Sequence, residues 1–368
     1  MPHFDTAEPQ TVPEALLSFY CPLVAEVSPE ADLLQEKTLA WATRFDLAAG
    51  DPHRTAMWAQ TGAAMTAFLL PHATGAVAEA FACYNAWAFG ANDYIESTRP
   101  IADTIEVLGR WERTMRAPNS WPNSTTSMDL AQQDALLRIQ EHLTPVQWER
   151  FIAGQSHWLC GMMWEVALRA RDAPLSLNEY LASRLTCAGG TAAPSYLDAV
   201  EGIELSEQEW AHPAVRAAAE VGMLAAALDN DRYSCLKELL QPVRKPNLFD
   251  AIRRERPNYS RDQVVTEGVA LRDSFMTLYL RLRAQLLASA GEDLRRYLSG
   301  LDCFISGNLA YATAAARRYS PPGVVLTITQ VDQPSDGNTA PVDIPTVASW
   351  WDQLDRPPGD GRGTGHAS

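Results

Sequence analysis

Apolar residues recur at intervals of three and four through most of this 368-residue chain, and that period dictates helices. The pattern runs through Ala31–Phe45, Thr55–Leu70, Gly75–Ile95, Ile101–Met115, Ser127–His142, Gln147–Ala170, Leu177–Thr186, Ala214–Leu240, Arg261–Ala290 and Glu292–Arg318. Residues so spaced fall on one face of a helix, and each such face must be buried against another. Pro71, Pro100, Pro174, Pro213 and Pro257 lie between the periodic segments, where a missing amide proton does least harm. Capping residue types stand near several starts: Asp129, Thr144 before Pro145, Ser176 before Leu177 and Ser260 before Arg261. Alternating, strand-like runs are nearly absent before Val324. The expected fold is all-α, a single helical bundle.

The end of the chain breaks the pattern. From Ser320 onward Pro, Gly, Asp, Ser and Thr dominate. Val324–Ile328 is short and β-branched, and Val347–Leu354 has room for one or two helical turns. The reading is a flexible N-terminus over 1–16, one domain over 17–320, and a mostly disordered, flexible C-terminal tail over 321–368.

Composition excludes several functions. Hydrophobic residues make up 46% and charged residues 20%, a soluble globular profile. No apolar run reaches the roughly 18 residues that span a bilayer. The first ten residues have neither a basic stretch nor an apolar one, so no secretory signal is read and the expected location is cytoplasmic. A net charge of −15 argues against nucleic acid as a partner. Six cysteines lack CxxC spacing, which disfavours a zinc site or a disulfide framework.

One polar string stands out. Asp229-Asn230-Asp231-Arg232-Tyr233-Ser234-Cys235-Leu236-Lys237-Glu238 continues the apolar run Val221–Leu228 with no breaker between them. Residues four apart on a helix advance roughly 6 Å and turn only about 40°. Asn230, Ser234 and Glu238 therefore form one stripe of amide, hydroxyl and carboxylate oxygens, the hard donors that magnesium favours. Lys237 adds a positive charge beside them. Spacing alone is equally compatible with a solvated polar face.

The full string Asn-Asp-x-x-Ser-x-x-Lys-Glu resembles the second metal motif of bacterial class I terpene synthases. Other landmarks of that family fall in place. Arg184 stands 46 positions before Asn230, and Arg318-Tyr319 follows well after it. Phe19, Pro22, Pro29 and Trp41 match the family's N-terminal spacing, and Pro246-Asn247-Leu248-Phe249 resembles the stretch after the second motif. The resemblance covers about residues 17–320. It implies the class I terpenoid synthase bundle, about three Mg²⁺ ions, and an isoprenyl diphosphate substrate. In that family Asn230, Ser234 and Glu238 bind one ion. Arg184, Lys237, Arg318 and Tyr319 contact the diphosphate. Arg184 also signals to a helix break, for which Ala188, Gly189 and Gly190 are candidates.

The first metal motif departs from the family pattern. The family carries Asp-Asp-x-x-Asp/Glu where this chain reads Asn92-Asp93-Tyr94-Ile95-Glu96, with Trp87 and Phe89 setting the register. Asn92 offers one neutral oxygen where an aspartate offers two charged ones. Three outcomes stay open: Asp93 rotates in, Asn92 coordinates with Glu96 as helper, or ionisation is impaired. Asp93 and Glu96 are the expected ligands.

The resemblance implies an Mg²⁺-dependent cyclase that ionises farnesyl or geranylgeranyl diphosphate and closes the carbocation to a sesqui- or diterpene. Trp87, Phe89, Trp158, Trp164 and Phe304 are candidate aromatic walls for the cation. Gly90 and Ala91 stand where the family often has bulkier residues, which hints at a roomy pocket suited to the longer chain. The alternatives are a non-catalytic or degenerate homologue and an isoprenyl chain-elongating transferase. A second aspartate-rich string, expected of the transferase, is missing. A monomer and a homodimer are both compatible with the sequence.

Overall fold

The computed structural model describes residues 14–97, 99–120, 126–171, 175–238, 246–314 and 327–354, with only the backbone for 236–238. A short helix, α1 (Glu14–Leu17), leads into strand β1 (Ser18–Tyr20). The bundle follows as α2 (Ala31–Arg44), α3 (Pro52–Leu69), α4 (Gly75–Ile95), α5 (Ile101–Arg116), α6 (Ser127–Gln140), α7 (Pro145–Arg169) and α8 (Leu177–Cys187). It continues through α9 (Pro194–Val200), α10 (Glu207–Trp210), α11 (Pro213–Glu238), α12 (Leu248–Glu255), α13 (Arg261–Leu287) and α14 (Glu292–Ala314). The all-α expectation holds. Among the described residues no helix is long and apolar enough to cross a membrane.

The helix starts follow from their caps. Thr144, Ser176 and Ser260 each accept from the backbone amide three residues on, while Gln147, Glu179 and Gln263 reach back to the cap amide. At α6 the cap is Thr126; Asp129 instead accepts from the Trp111 indole at 2.8 Å and the Thr126 hydroxyl at 2.7 Å.

α3 and α4 pack closely against each other. Gly62 makes that approach possible, because a methyl group there would collide with the Ala86 backbone. α14 closes on α3, and α11 lies against α13, α14 and α8. The side chains between them form one continuous core around Trp87, Trp111, Phe81, Phe151 and Tyr279.

The expected disordered tail is corrected for residues 327–354. β2 (Thr329–Val331) pairs in parallel with β1, placing Phe19 beside Gln330. Helix α15 (Pro345–Ala348) and a 3₁₀ turn (Trp351–Gln353) then dock on the bundle. Val347, Trp350 and Trp351 are buried, and both tryptophans pack on Phe275 with ring centroids 6.0 and 6.1 Å away. The Trp350 indole donates to Glu220 at 2.9 Å. Proline and glycine content signalled disorder, but these few aromatics bury enough apolar surface to fix the segment. At the other end, Leu16 is buried and α1 packs on α11 and α13, so order begins within the stretch expected to be flexible.

Candidate active site

Helix α11 carries its polar residues on two opposed faces, because successive residues turn by about 100°. Asp229 and Arg232, three apart, point away from the cavity. Asp229 is fully buried and accepts from Arg272 at 2.6 Å. Arg232 donates to the carbonyls of Ala15, at 2.7 Å, and Ser18. Burial pushes the Asp229 carboxyl up against the pull of Arg272 and Arg232. Burial also pushes the Arg232 guanidinium down to about 10, against the pull of Asp229. This buried cluster clamps α11 to β1 and α13.

The other face of α11 looks into a cavity of about 260 Å³. Asn230, Asp231 and Ser234 line it from α11, and Arg184 from α8. The Arg184 Nη2 donates to Asn230 Oδ1 at 2.9 Å and to the Ala227 carbonyl at 3.2 Å, and lies 2.9 Å from Asp231 Oδ1. Tyr180 donates its hydroxyl to the second oxygen of Asp231. Burial, reinforced by the Asp231 charge, keeps that hydroxyl protonated far above the usual tyrosine range. The Asn230 amide donates to the Tyr233 hydroxyl at 3.0 Å, which lies 3.2 Å from Asn308 Oδ1. Asn230 is thus held in a polar network, and Ser234 is buried beside it, so these two members of the stripe are not a solvated face.

Across the cavity, α4 presents Asn92 and Glu96, whose side chains are hydrogen-bonded to each other, amide to carboxylate. Asp93 is not brought to the cavity wall with them. Its Oδ2 accepts from the Trp58 indole at 2.7 Å. Asp93, expected as a ligand, is thus placed against Trp58, while Asn92 and Glu96, four apart on one stripe, line the cavity. Glu165 of α7, absent from the sequence reading, lines the same cavity and is buried. Arg169 links it to this end of α4, lying 3.9 Å from Glu165 and donating to the Ile95 carbonyl at 2.5 Å. An isolated glutamate on a helix of mixed polarity carried no signal of its own.

α8 stops at Cys187, and the break continues through 188–193 into α9. Gly189 has φ +81°, a backbone state that glycine accepts without strain. The Trp158 indole donates to the freed Cys187 carbonyl at 3.1 Å. The predicted helix break is at the expected residues, directly against the cavity.

Of the aromatic candidates, Phe89, Trp158 and Phe304 line the cavity. Trp87 is buried in the core among Tyr84, Trp111 and Trp158, and Trp164 is 40% exposed on the outer face of α7. Tyr196 and Tyr311, not foreseen, also face the cavity. Gly90 does not widen it. A methyl group on Gly90 would meet Trp58 and Met128 at 3.1 Å, so its small size serves helix packing. The side chains of Lys237 and Glu238, and residues Arg318 and Tyr319, lie outside the described residues.

Oxygen donors from three helices thus meet at one cavity with a guanidinium. Residues 83–276 match the model of terpene synthase family 2, C-terminal metal binding. The chain is also 41% identical over 343 residues to diterpene cyclase DtcycB of a Streptomyces species, covering 93% of this chain and 98% of that one. This chain belongs to the bacterial class I terpene synthase family. Spiroviolene synthase of Streptomyces violens is 29% identical over 348 residues, 90% of this terpene synthase and 95% of the relative. The crystal structure of SVS_A2, a protein from ancestral sequence reconstruction, superposes with a TM-score of 0.79 at 28% identity. That superposition covers 91% of this chain and 98% of the other.

Proposed function

We propose that this terpene cyclase ionises geranylgeranyl diphosphate with magnesium and cyclises the carbocation to a diterpene, releasing diphosphate. The observation that carries the reading is the facing of Asn230, Ser234 and Arg184 against Asn92, Glu96 and Glu165 across one aromatic-walled cavity. Amide, hydroxyl and carboxylate oxygens form a donor set suited to Mg²⁺. Asn230 and Ser234 would hold one ion with Glu238. Glu96 would hold the others, with Asn92 contributing its amide oxygen and Glu165 the carboxylate charge that Asn92 lacks. Magnesium bound there would neutralise the diphosphate oxygens and make diphosphate a better leaving group.

The chain's own residues do the rest. Arg184 exchanges its hold on Asp231 for the incoming diphosphate, whose oxygens match its planar fork. Asp231 keeps Tyr180 as a partner, so it is not stranded when Arg184 turns. Lys237, Arg318 and Tyr319 are proposed as further diphosphate contacts. Phe89, Trp158 and Phe304 offer ring faces to the migrating positive charge and keep water from it. The preference for a C20 substrate rests on the similarity to a diterpene cyclase along nearly the whole chain.

The test is incubation of purified protein with Mg²⁺ and each of geranyl, farnesyl and geranylgeranyl diphosphate, with organic extracts analysed by gas chromatography–mass spectrometry. A cyclic C20 product from geranylgeranyl diphosphate is expected. No terpene from any of the three would overturn the enzyme reading, and a C15 product alone would overturn the substrate.

A further inference from the structure

A second cluster of metal-ligand types lies outside the cavity. Four residues distant in sequence build it: Glu26 from the loop after β1, His72 from the α3–α4 turn, Glu201 at the end of α9 and Cys303 on α14. His72 Nδ1 lies 2.8 Å from Glu201 Oε1, and the Glu201 side chain is only 6% exposed. His72 Nε2 lies 3.5 Å from Glu26 Oε2 and 3.9 Å from Cys303 Sγ. The ligand atoms of Glu26, His72 and Cys303 all fall within 4.8 Å of one another.

From this geometry we infer a second, non-magnesium metal site, formed by Glu26, His72 and Cys303, that takes a borderline-soft divalent ion of the zinc type. Three arguments lead there. The first is spacing. Bonds of about 2.0–2.3 Å to a tetrahedral ion put its ligand atoms about 3.3–3.6 Å apart. The two distances to His72 Nε2, 3.5 and 3.9 Å, are within a few tenths of an ångström of that, and Glu26 and Cys303, within 4.8 Å of each other, close on the ion by a turn of the exposed Glu26 side chain. The second is orientation. A buried carboxylate accepting the Nδ1 proton fixes the tautomer in which Nε2 carries the free lone pair, and this is how ligating histidines are held. Glu201 plays that part here, and burial among Gly300, Leu197 and the Arg296 contact to its own carbonyl leaves it little freedom. The third is selectivity. A thiolate and an imidazole favour zinc over magnesium, whereas the cavity offers mostly oxygen donors.

Binding breaks the Cys303 S–H bond, forms a metal–sulfur bond and releases the proton to solvent; no redox change is involved. Glu26 is 58% exposed, which gives the ion an entry path and leaves a fourth position to water. The four residues join segments remote in sequence, so an ion would pin the β1–α2 loop, the α3–α4 turn, α9 and α14 together. None of the four lines the catalytic cavity. These residues are brought together by the fold, so a local spacing such as CxxC would not signal them.

The experiment is a titration of the chelator-treated full chain with Co²⁺ in the absence of Mg²⁺, followed by absorption. One equivalent should give a thiolate-to-cobalt band in the near ultraviolet with tetrahedral bands in the visible. Both should persist in Ser234→Ala and vanish in Cys303→Ser. Glu26→Gln, at an exposed position, should bind more weakly without a folding defect, and Glu201→Gln should lose about 10–100-fold in affinity. Zn²⁺ should raise the melting temperature of the wild type and of Ser234→Ala but not of Cys303→Ser. No near-ultraviolet band, or a band that survives Cys303→Ser and Glu26→Gln, would overturn the site.

Discussion

Arg184 and Asp231 lie 2.9 Å apart across the interface of α8 and α11, so the cavity's guanidinium is held by a carboxylate that also accepts from Tyr180. An incoming diphosphate competes with Asp231 for that guanidinium. Arg184→Ala should therefore remove a preorganised donor and lower kcat by ~10²–10³-fold, the usual scale for one such donor. Arg184→Lys should recover only part, since a point charge replaces a fork. Steady-state diphosphate release measures both, and wild-type turnover in Arg184→Ala would remove the residue from the reaction.

Asp93 and Glu96 should part company on mutation. Asp93 accepts from Trp58, whereas Glu96 faces the cavity with Asn92. Asp93→Asn should retain most turnover and cost about 1 kcal/mol of stability through the weakened indole hydrogen bond. Glu96→Gln should abolish turnover while leaving the melting temperature near wild type. Assays of diphosphate release alongside thermal melts separate the two effects, and the reverse pattern would restore Asp93 as the ligand.

The missing charge at Asn92 makes a prediction about magnesium. Asn92→Asp adds a carboxylate to the cavity wall, so half-maximal turnover should need less Mg²⁺ than in the wild type. Glu165→Gln removes the nearby buried carboxylate and should need more, and Asn92→Asp should rescue it. Turnover against Mg²⁺ concentration in the four proteins reads this directly; an unchanged midpoint in Glu165→Gln would exclude that residue from the metal site.

The docked C-terminal segment should matter to stability. Trp350 is buried against Phe275 and bonded to Glu220. Trp350→Ala should cost about 3–5 kcal/mol, the range for truncating a buried large aromatic. Urea unfolding measures it. A midpoint equal to wild type would mean that the segment contributes nothing to the folded state.

How much was legible in sequence depended on whether the signal was local. The long helices from Ala31–Arg44 to Glu292–Ala314 follow a strong 3.6-residue pattern, and the capping boxes at Thr144, Ser176 and Ser260 fixed three starts. The short α9, α10 and α12 span too few turns for a period to register. Asn230, Ser234 and Arg184 could be read because α11 puts two on one face and family spacing supplied the third. The placement of Asp93 was not legible, because a one-residue step along α4 turns its side chain to Trp58 and motif position does not encode that turn. Glu165, Trp350 and the His72 cluster depend on contacts between distant segments, which no local window contains.

The most direct test of the central claim is one incubation with equimolar farnesyl and geranylgeranyl diphosphate, with and without Mg²⁺, followed by gas chromatography–mass spectrometry. The account predicts a cyclic C20 hydrocarbon or alcohol as the major product with Mg²⁺, and none with chelator or in Ser234→Ala. A predominant C15 product, or a C20 product formed equally well in chelator, would contradict it.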